Sequence, residues 1–317
     1  MDTSPTFNSP FSIRANGLTK WYGKEKTVAV DNVSFEVNPG EIFGLIGADG
    51  AGKTSIFRML TTLLLPDGGS ATVNGFDVVK EYKQIRSCVG YMPGKFSLYQ
   101  DLSVEENLNF FATVFNTTIE ENYHLVKDIY VQIEPFKTRR AGKLSGGMKQ
   151  KLALCCALIH KPAVLFLDEP TTGVDPVSRK EFWEMLKRLK QQGITILVAT
   201  PYMDEANQCD RIALIQSGKI LTINSPKTIS DSFAHPILKV KANKMSVVIR
   251  SLSKLDGVIS SNGFGEFAHA VVEKGDQEMI NRITNHLKQL GLEEIEVEPS
   301  RPTIEDVFIS LTEKQSA

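Results

Sequence analysis

Gly47-Ala48-Asp49-Gly50-Ala51-Gly52-Lys53-Thr54, followed by Ser55, puts a lysine and a hydroxyl at the end of a glycine-rich run. Glycines let such a run fold into a concave nest whose N–H groups point at phosphate oxygens. A helix starting there turns its positive dipole end toward the same anion. Lys53 then reaches the β and γ phosphates, and Thr54 offers its hydroxyl to Mg²⁺. The sequence therefore predicts that Gly47 through Ser55 cradle the phosphates of a nucleotide.

A second chemical pair, Asp168-Glu169, follows the apolar run from Ala163 to Leu167. Both carboxylates then emerge at the carboxyl end of a buried strand, the edge where open α/β sheets bind ligands. Asp168 is expected to hold Mg²⁺ through water. Glu169 is expected to polarise the water that attacks the γ phosphate, a base role worth about 10²- to 10⁴-fold. Leu144-Ser145-Gly146-Gly147 lies between these motifs directly before a helical pattern, which makes a second helix N-terminus with exposed backbone donors.

The elements that position these groups are legible as periodicities. Glu41 to Ile46 is an apolar run ahead of the phosphate loop, and Ile56, Phe57, Met59, Leu60 and Leu63 form the apolar face of the segment after it. Ala163 to Leu167 and Ile194 to Ala199 are continuous apolar runs, which suit parallel strands covered on both faces. Val177 to Lys190 repeats apolar residues at helical spacing and reads as the crossover between them. Strand and helix alternating around a phosphate loop predict an α/β nucleotide-binding core over residues 13–230. Residues 96–160 read as a helical insertion.

Beyond Pro226 the composition shifts. Strand-like Ile237 to Lys241, helix-like Ser246 to Leu255, strand-like Gly257 to Gly263 and Phe267 to Glu273, helix-like Gln277 to Leu290 and strand-like Glu294 to Glu298 follow in turn. This β-α-β-β-α-β order predicts a small ferredoxin-like α+β accessory domain over residues 236–317. A last helix carries Ile304, Val307, Phe308 and Leu311 on one face.

With 36 Lys+Arg against 37 Asp+Glu, the net charge of -1 provides no general field for nucleic acid. The short basic run Lys137, Arg139, Arg140, Lys143 reads as a solvated face. Residues 1–12 lack the basic start and apolar stretch of a secretory signal and read as a flexible leader, so the chain is expected in the cytoplasm. The Leu152 to Leu167 run is broken by His160-Lys161-Pro162 and is shorter than the ~20 apolar residues a membrane span needs. Cys88, Cys155, Cys156 and Cys209 show no metal-binding spacing, and the adjacent pair reads as buried small hydrophobes.

Taken together, the phosphate loop, Leu144 to Gln150, Ala163 to Glu169 and Thr172-Gly-Val-Asp-Pro176 resemble the ATP-binding subunit of an ABC transporter. The resemblance covers about residues 13–230. It implies two subunits facing head to tail, with Ser145, Gly146 and Gly147 touching the γ phosphate of a partner's ATP. It further implies that Tyr22 stacks on adenine, with Trp21 as the alternative, and that Asp175 crosses the dimer interface. Gly90-Tyr-Met-Pro, Leu98 to Leu108, Met148, Tyr202-Met-Asp-Glu-Ala206 and Pro302 to Phe308 are most similar to daunorubicin-resistance and related multidrug exporter ATPases, with parts of the pattern shared by glycan and lipid exporter ATPases, so the cargo stays open.

That resemblance implies a peripheral subunit on the cytoplasmic face of the membrane. Its partners would be a separate membrane permease and a second ATPase subunit, forming a homo- or heterodimer. Two positions depart from the pattern. Gly94 stands where the family has a glutamine, and Pro201 where it has a histidine; neither replacement supplies the lost side-chain hydrogen bond. Lys95 and Gln100 are the neighbouring substitutes. Weakened hydrolysis is the expectation, and a degenerate ATP-binding partner of a heterodimeric exporter is the alternative reading. The marks of translation or DNA-repair members, a second cassette or a long coiled-coil interruption, are not found in this sequence.

Overall fold

The computed structural model describes residues 10–316. Most of the expected leader, residues 1–9, lies outside the described residues. Ser12, also assigned to the leader, belongs to the fold: its N–H donates to the Val37 carbonyl at 2.9 Å, and its hydroxyl shares a 2.9 Å hydrogen bond with Thr195. The chain divides into two compact units, residues 1–226 and 227–317.

The centre of the first unit is a six-stranded sheet. Its order is Lys219–Asn224, Arg211–Gln216, Ile42–Ile46, Thr195–Thr200, Val164–Asp168, Val89–Met92. Only the first pair is antiparallel. Ile42–Ile46, Val164–Asp168 and Thr195–Thr200 are buried at every position, as two-sided cover requires of parallel strands. Ile46 pairs with Thr200, Asp168 with Ala199 and Met92 with Leu167. This register brings Gly47, Glu169, Pro201 and Pro93 out of the sheet along one edge.

Antiparallel strands in the order Thr27–Val37, Ile13–Tyr22, Gly68–Val73, Phe76–Asp77 make a second layer. Phe35 of that layer stacks on Phe43 at 5.6 Å between ring centres. Helix Lys53–Leu60 buries Ile56, Phe57, Met59 and Leu60, and Phe57 meets Phe166 edge to face at 5.7 Å. Leu63 departs from the expected apolar face. The helix stops at Leu60, Thr62 takes a left-handed φ of 63°, and Leu63 is left 57 % exposed.

The helical insertion consists of Val104–Val114, Ile119–Tyr130 and Gly146–Leu158. Ser103 with Glu106 and Thr118 with Glu121 form reciprocal capping boxes at the first two, which satisfy backbone donors that a helix start leaves open. Buried Asn107 fastens the preceding loop through the Tyr99 N–H and the carbonyls of Tyr99, Leu102 and Ser103. Lys137, Arg139, Arg140 and Lys143 are all exposed.

In the second unit, strands in the order Val258–Phe264, Phe267–Val272, Ile237–Lys241, Glu296–Ser300 pair antiparallel throughout. Helices Met245–Leu252 and Gln277–Gln289 cover one face through Val248, Leu252, Met279, Ile283 and Leu287. This is the split β-α-β arrangement of a ferredoxin-like fold. In the last helix, Ile304–Ser316, Ile304 and Val307 are buried while Phe308 and Leu311 are half-buried. Asp306 is buried too, because His269 Nδ1 lies 3.0 Å from one carboxylate oxygen and the Thr303 hydroxyl donates to the other at 2.7 Å.

Because the first unit closes its own core, a chain ending at Asp231 should fold alone. Its melting temperature is expected within about 4 °C of the full chain's first-unit transition, the shift that ~1 kcal/mol produces at this size. Far-ultraviolet circular dichroism melting checks this. A non-cooperative melt would make the first core dependent on the second.

Candidate functional site

The site is built where the Ile42–Ile46 strand runs out and the Lys53–Leu60 helix begins. Two glycines are dictated by close approach. A Cβ at Gly47 would lie 2.1 Å from the Ile215 carbonyl, and one at Gly52, where φ is 102°, would lie 2.3 Å from the Ala29 carbonyl. Ala48, Asp49 and Gly50 are exposed at the loop's outer curve, while Ala51 is buried under it.

Lys53 is 3 % exposed. Its ammonium donates to the carbonyls of Gly47 at 2.8 Å and Ala48 at 3.0 Å and lies 3.9 Å from Glu169. Burial pushes its pKa down, against the pull of Glu169, Asp49 and Asp168. The Thr54 hydroxyl donates to Asp168 at 3.3 Å. Burial pushes the Asp168 carboxyl up, and the Thr54 hydrogen bond opposes that shift. Ser55 shares a 3.1 Å hydrogen bond with the hydroxyl of Tyr22, a residue that is 42 % exposed. That bond ties the aromatic to the helix following the loop. Trp21, the alternative, faces the Lys26 ammonium at 5.3 Å from its ring centre.

Thr54 and Asp168 supply two hard oxygen donors at the N-terminal end of helix Lys53–Leu60. No group of three or more metal-ligating His, Cys, Asp or Glu side chains occurs among the described residues. Such a sparse oxygen set fits Mg²⁺, which keeps waters and takes ligands from substrate phosphates.

Glu169 adopts a left-handed φ of 50°, with its N–H donating to the Ala199 carbonyl at 2.8 Å. A non-glycine residue there is strained and persists only where its surroundings over-determine it. Gly94 faces this pair: a Cβ on it would lie 3.2 Å from the Asp168 carbonyl and 3.6 Å from Glu169 Cβ.

A second cluster is formed by Ser145, Gly146 and Gly147. The glycines lie in the first turn of helix Gly146–Leu158 instead of ahead of it, and Ser145 caps that helix by accepting from the Met148 N–H at 3.3 Å. A Cβ on Gly147 would meet the Ser178 hydroxyl at 3.0 Å. Exposed Asp175 caps the neighbouring helix Pro176–Gln191 through the N–H groups of Val177 and Ser178. Sequence reasoning missed Glu205, which is 3 % exposed and bonded to Thr200 at the end of one central strand and to Thr171 in the turn after another. Its only sequence signal was its place in Tyr202-Met-Asp-Glu-Ala206.

Residues 30–172 match the family model of the ABC transporter. A Mycobacterium tuberculosis protein named as a doxorubicin resistance ATP-binding protein is 32% identical over 324 residues, spanning 96% of this chain and 95% of that protein. The chain belongs to the ABC transporter ATP-binding family. An Escherichia coli relative, named a "probable multidrug ABC transporter ATP-binding protein", is 40% identical over 304 residues. The alignment takes in 94% of this chain and 52% of that relative, so the ABC chain spans about half its length. Among solved structures, Clostridium perfringens cbiO1, part of the ABC transporter complex cbiONQ, matches with a TM-score of 0.63 and 25% identity, over 71% of this chain and 92% of its own. No helix among the described residues is long and apolar enough to cross a membrane.

Burial raises Asp168 above its unfolded value, so the protonated carboxyl favours the fold. That contribution is complete below the unfolded pKa and is lost as pH rises through the folded one. Asp168→Asn keeps an acceptor for Thr54 and should therefore raise the nucleotide-free melting temperature at neutral pH, by roughly 2–4 °C per kcal/mol relieved. The gain should shrink toward the acidic carboxylate range, and the extra stabilisation that Mg²⁺ adds to ATP should disappear. Calorimetry showing no gain at neutral pH would remove the burial penalty from Asp168.

Proposed function

We propose that this chain binds MgATP in its phosphate loop, hydrolyses it weakly, and drives export of a drug-like or lipophilic substrate through a separate permease. The carrying observation is the convergence of Lys53, Thr54, Asp168 and Glu169 at one sheet edge, with Lys53 3.9 Å from Glu169 and Thr54 3.3 Å from Asp168. On this reading Gly47, Ala48, Asp49, Gly50, Ala51, Gly52 and Ser55 surround the phosphates, and Lys53 exchanges its backbone acceptors for phosphate oxygens. Tyr22 stacks on adenine. Thr54 and Asp168 hold Mg²⁺, which supplies neutralisation of phosphate charge. Glu169 orients a water and takes its proton as the water oxygen bonds to the γ phosphorus and the bond to the β–γ bridging oxygen breaks; the proton passes on to the departing phosphate or solvent, and ADP and phosphate leave.

Ser145, Gly146 and Gly147 act on the partner subunit's ATP, and Asp175 works at the interface. The names of the doxorubicin-resistance and multidrug relatives support a drug-like cargo. The permease assignment is supported by an apolar groove of about 420 Å³ beside the insertion, lined in part by Met92, Leu98, Phe111, Val114 and Phe115. Exposed Tyr99 and Phe110 stand near it on the same insertion, edge to face at 4.8 Å.

Gly94 and Pro201 favour a second version, in which the chain mainly holds ATP to close a heterodimer whose other ATPase performs most turnover. Glu169→Gln keeps the side chain's shape and removes its basicity, so turnover should fall about 10²-fold or more while MgATP affinity survives. Measuring phosphate release and fluorescent-nucleotide affinity on both proteins tests this; equal turnover would exclude Glu169 from the chemistry. Gly94→Gln with Pro201→His should raise turnover of the isolated chain without much change in affinity. The 3.2 Å approach at position 94 requires the loop to give slightly. No gain in a folded double variant would leave the degenerate-partner reading without its cause.

A further inference from the structure

Glu205 sits in the turn Met203–Gln208 and is almost wholly enclosed. One carboxylate oxygen accepts the Thr171 hydroxyl at 2.6 Å and the Arg179 guanidinium at 3.0 and 3.2 Å. The other accepts the Thr200 hydroxyl at 2.6 Å. Each donor stands on a different segment of the candidate site. Thr171 is two residues past Glu169, in a turn where Thr172 N–H donates to the Glu169 carbonyl and Val174 N–H to the Thr171 carbonyl. Thr200 ends its strand against the phosphate loop, its carbonyl accepting the Gly47 N–H at 3.3 Å, and precedes Pro201. Arg179 lies one turn into the helix that Asp175 caps, and its guanidinium covers the Tyr202 ring at 4.5 Å.

We propose that Glu205 is a positioning residue for turnover: its carboxylate holds the Glu169 turn, the strand end beside Pro201 and the Asp175 helix in one register. Two features argue for more than general stability. The strained φ of Glu169 needs an anchor in its own turn, and Thr171 is that anchor. Charge also makes the link directional. The carboxylate accepts from every partner, whereas an amide at this position must turn N–H groups toward either Thr200 or the Thr171 and Arg179 donors. The Thr200 oxygen already accepts the Tyr202 N–H.

The inference rests on the ATPase reading above, so its test carries one readout free of turnover. Glu205→Gln and the double variant Thr171→Val/Thr200→Val, which keeps the Arg179 ion pair, are compared with the parent chain. We expect kcat for ATP to fall about tenfold or more, with MgATP affinity within about threefold. Amide hydrogen exchange is expected to speed up about tenfold at Glu169, Thr172 and Val174 while the Lys53–Leu60 helix keeps its protection. Unchanged exchange in the Glu169 turn would overturn the proposal, as would acceleration spread evenly over the whole unit. A parent chain without turnover would fail the ATPase reading instead, and the exchange pattern would still decide the role of Glu205.

Discussion

Lys53, Asp168 and Glu169 are charges drawn together at the end of a sheet that is apolar along its central strands. Removing a charge from water is costly unless partners compensate, and here compensation is incomplete. Lys53 leans on two backbone carbonyls and approaches Glu169 only to 3.9 Å, while Asp168 has one hydroxyl donor from Thr54. Burial accordingly shifts Lys53 down and Asp168 up, each toward its neutral form. A polyphosphate with a divalent cation would reverse both tendencies, giving the ammonium an anion and the carboxylate a metal. The rest of the first unit serves to keep this arrangement in place.

That constraint explains the precision of the sheet edge. The strands ending at Ile46, Asp168 and Thr200 are buried on both faces, so their register is held by packing instead of by alternation of polar and apolar residues. The loop has no room to drift, since Gly47 and Gly52 abut the backbone of Ile215 and Ala29. Helix Lys53–Leu60 is fastened from below by Phe57 against Phe166, a residue of the strand that delivers Asp168. Packing of the core and placement of the charges are therefore the same interaction seen from two sides.

Much of this was legible in one dimension because its signals are local. Continuous apolar runs marked the central strands, the glycines and Lys53-Thr54 marked the loop, and alternating periods marked the second unit in correct order. Local patterning failed where tertiary geometry intervened. Leu63 continues a helical apolar stripe, yet the left-handed turn at Thr62 puts it in solvent. Ser12 lies in a Ser/Pro/Thr-rich stretch but is bonded to Thr195, which is 183 residues away. Buried polar residues with distant partners were the hardest to find. Glu205 bonds to Thr171, 34 residues back, and to Arg179, 26 residues back; Asp306 meets His269 at a separation of 37. No period links such pairs, and a buried carboxylate looks in sequence like any surface acid.

The division of labour among these groups bears on what the two departures remove. Under the proposed function, affinity for a polyphosphate would come from the loop amides, the buried ammonium and the metal-side oxygens, and the chain carries all of these groups. Turnover requires a water held in line with the γ phosphate and a base aimed at it, which depends on the strained turn at Glu169 and on whatever closes over it. Gly94 approaches that turn with bare backbone: the nearest Asp168 oxygen lies 3.2 Å from where its Cβ would be. Pro201 follows a threonine whose hydroxyl is already committed to Glu205. Both positions border the reacting end of the site and neither belongs to the loop. Under the proposed function, loss of side chains there spares ground-state binding and falls on the transition state, which is the pattern expected of a subunit retained more for closing a complex than for rapid hydrolysis.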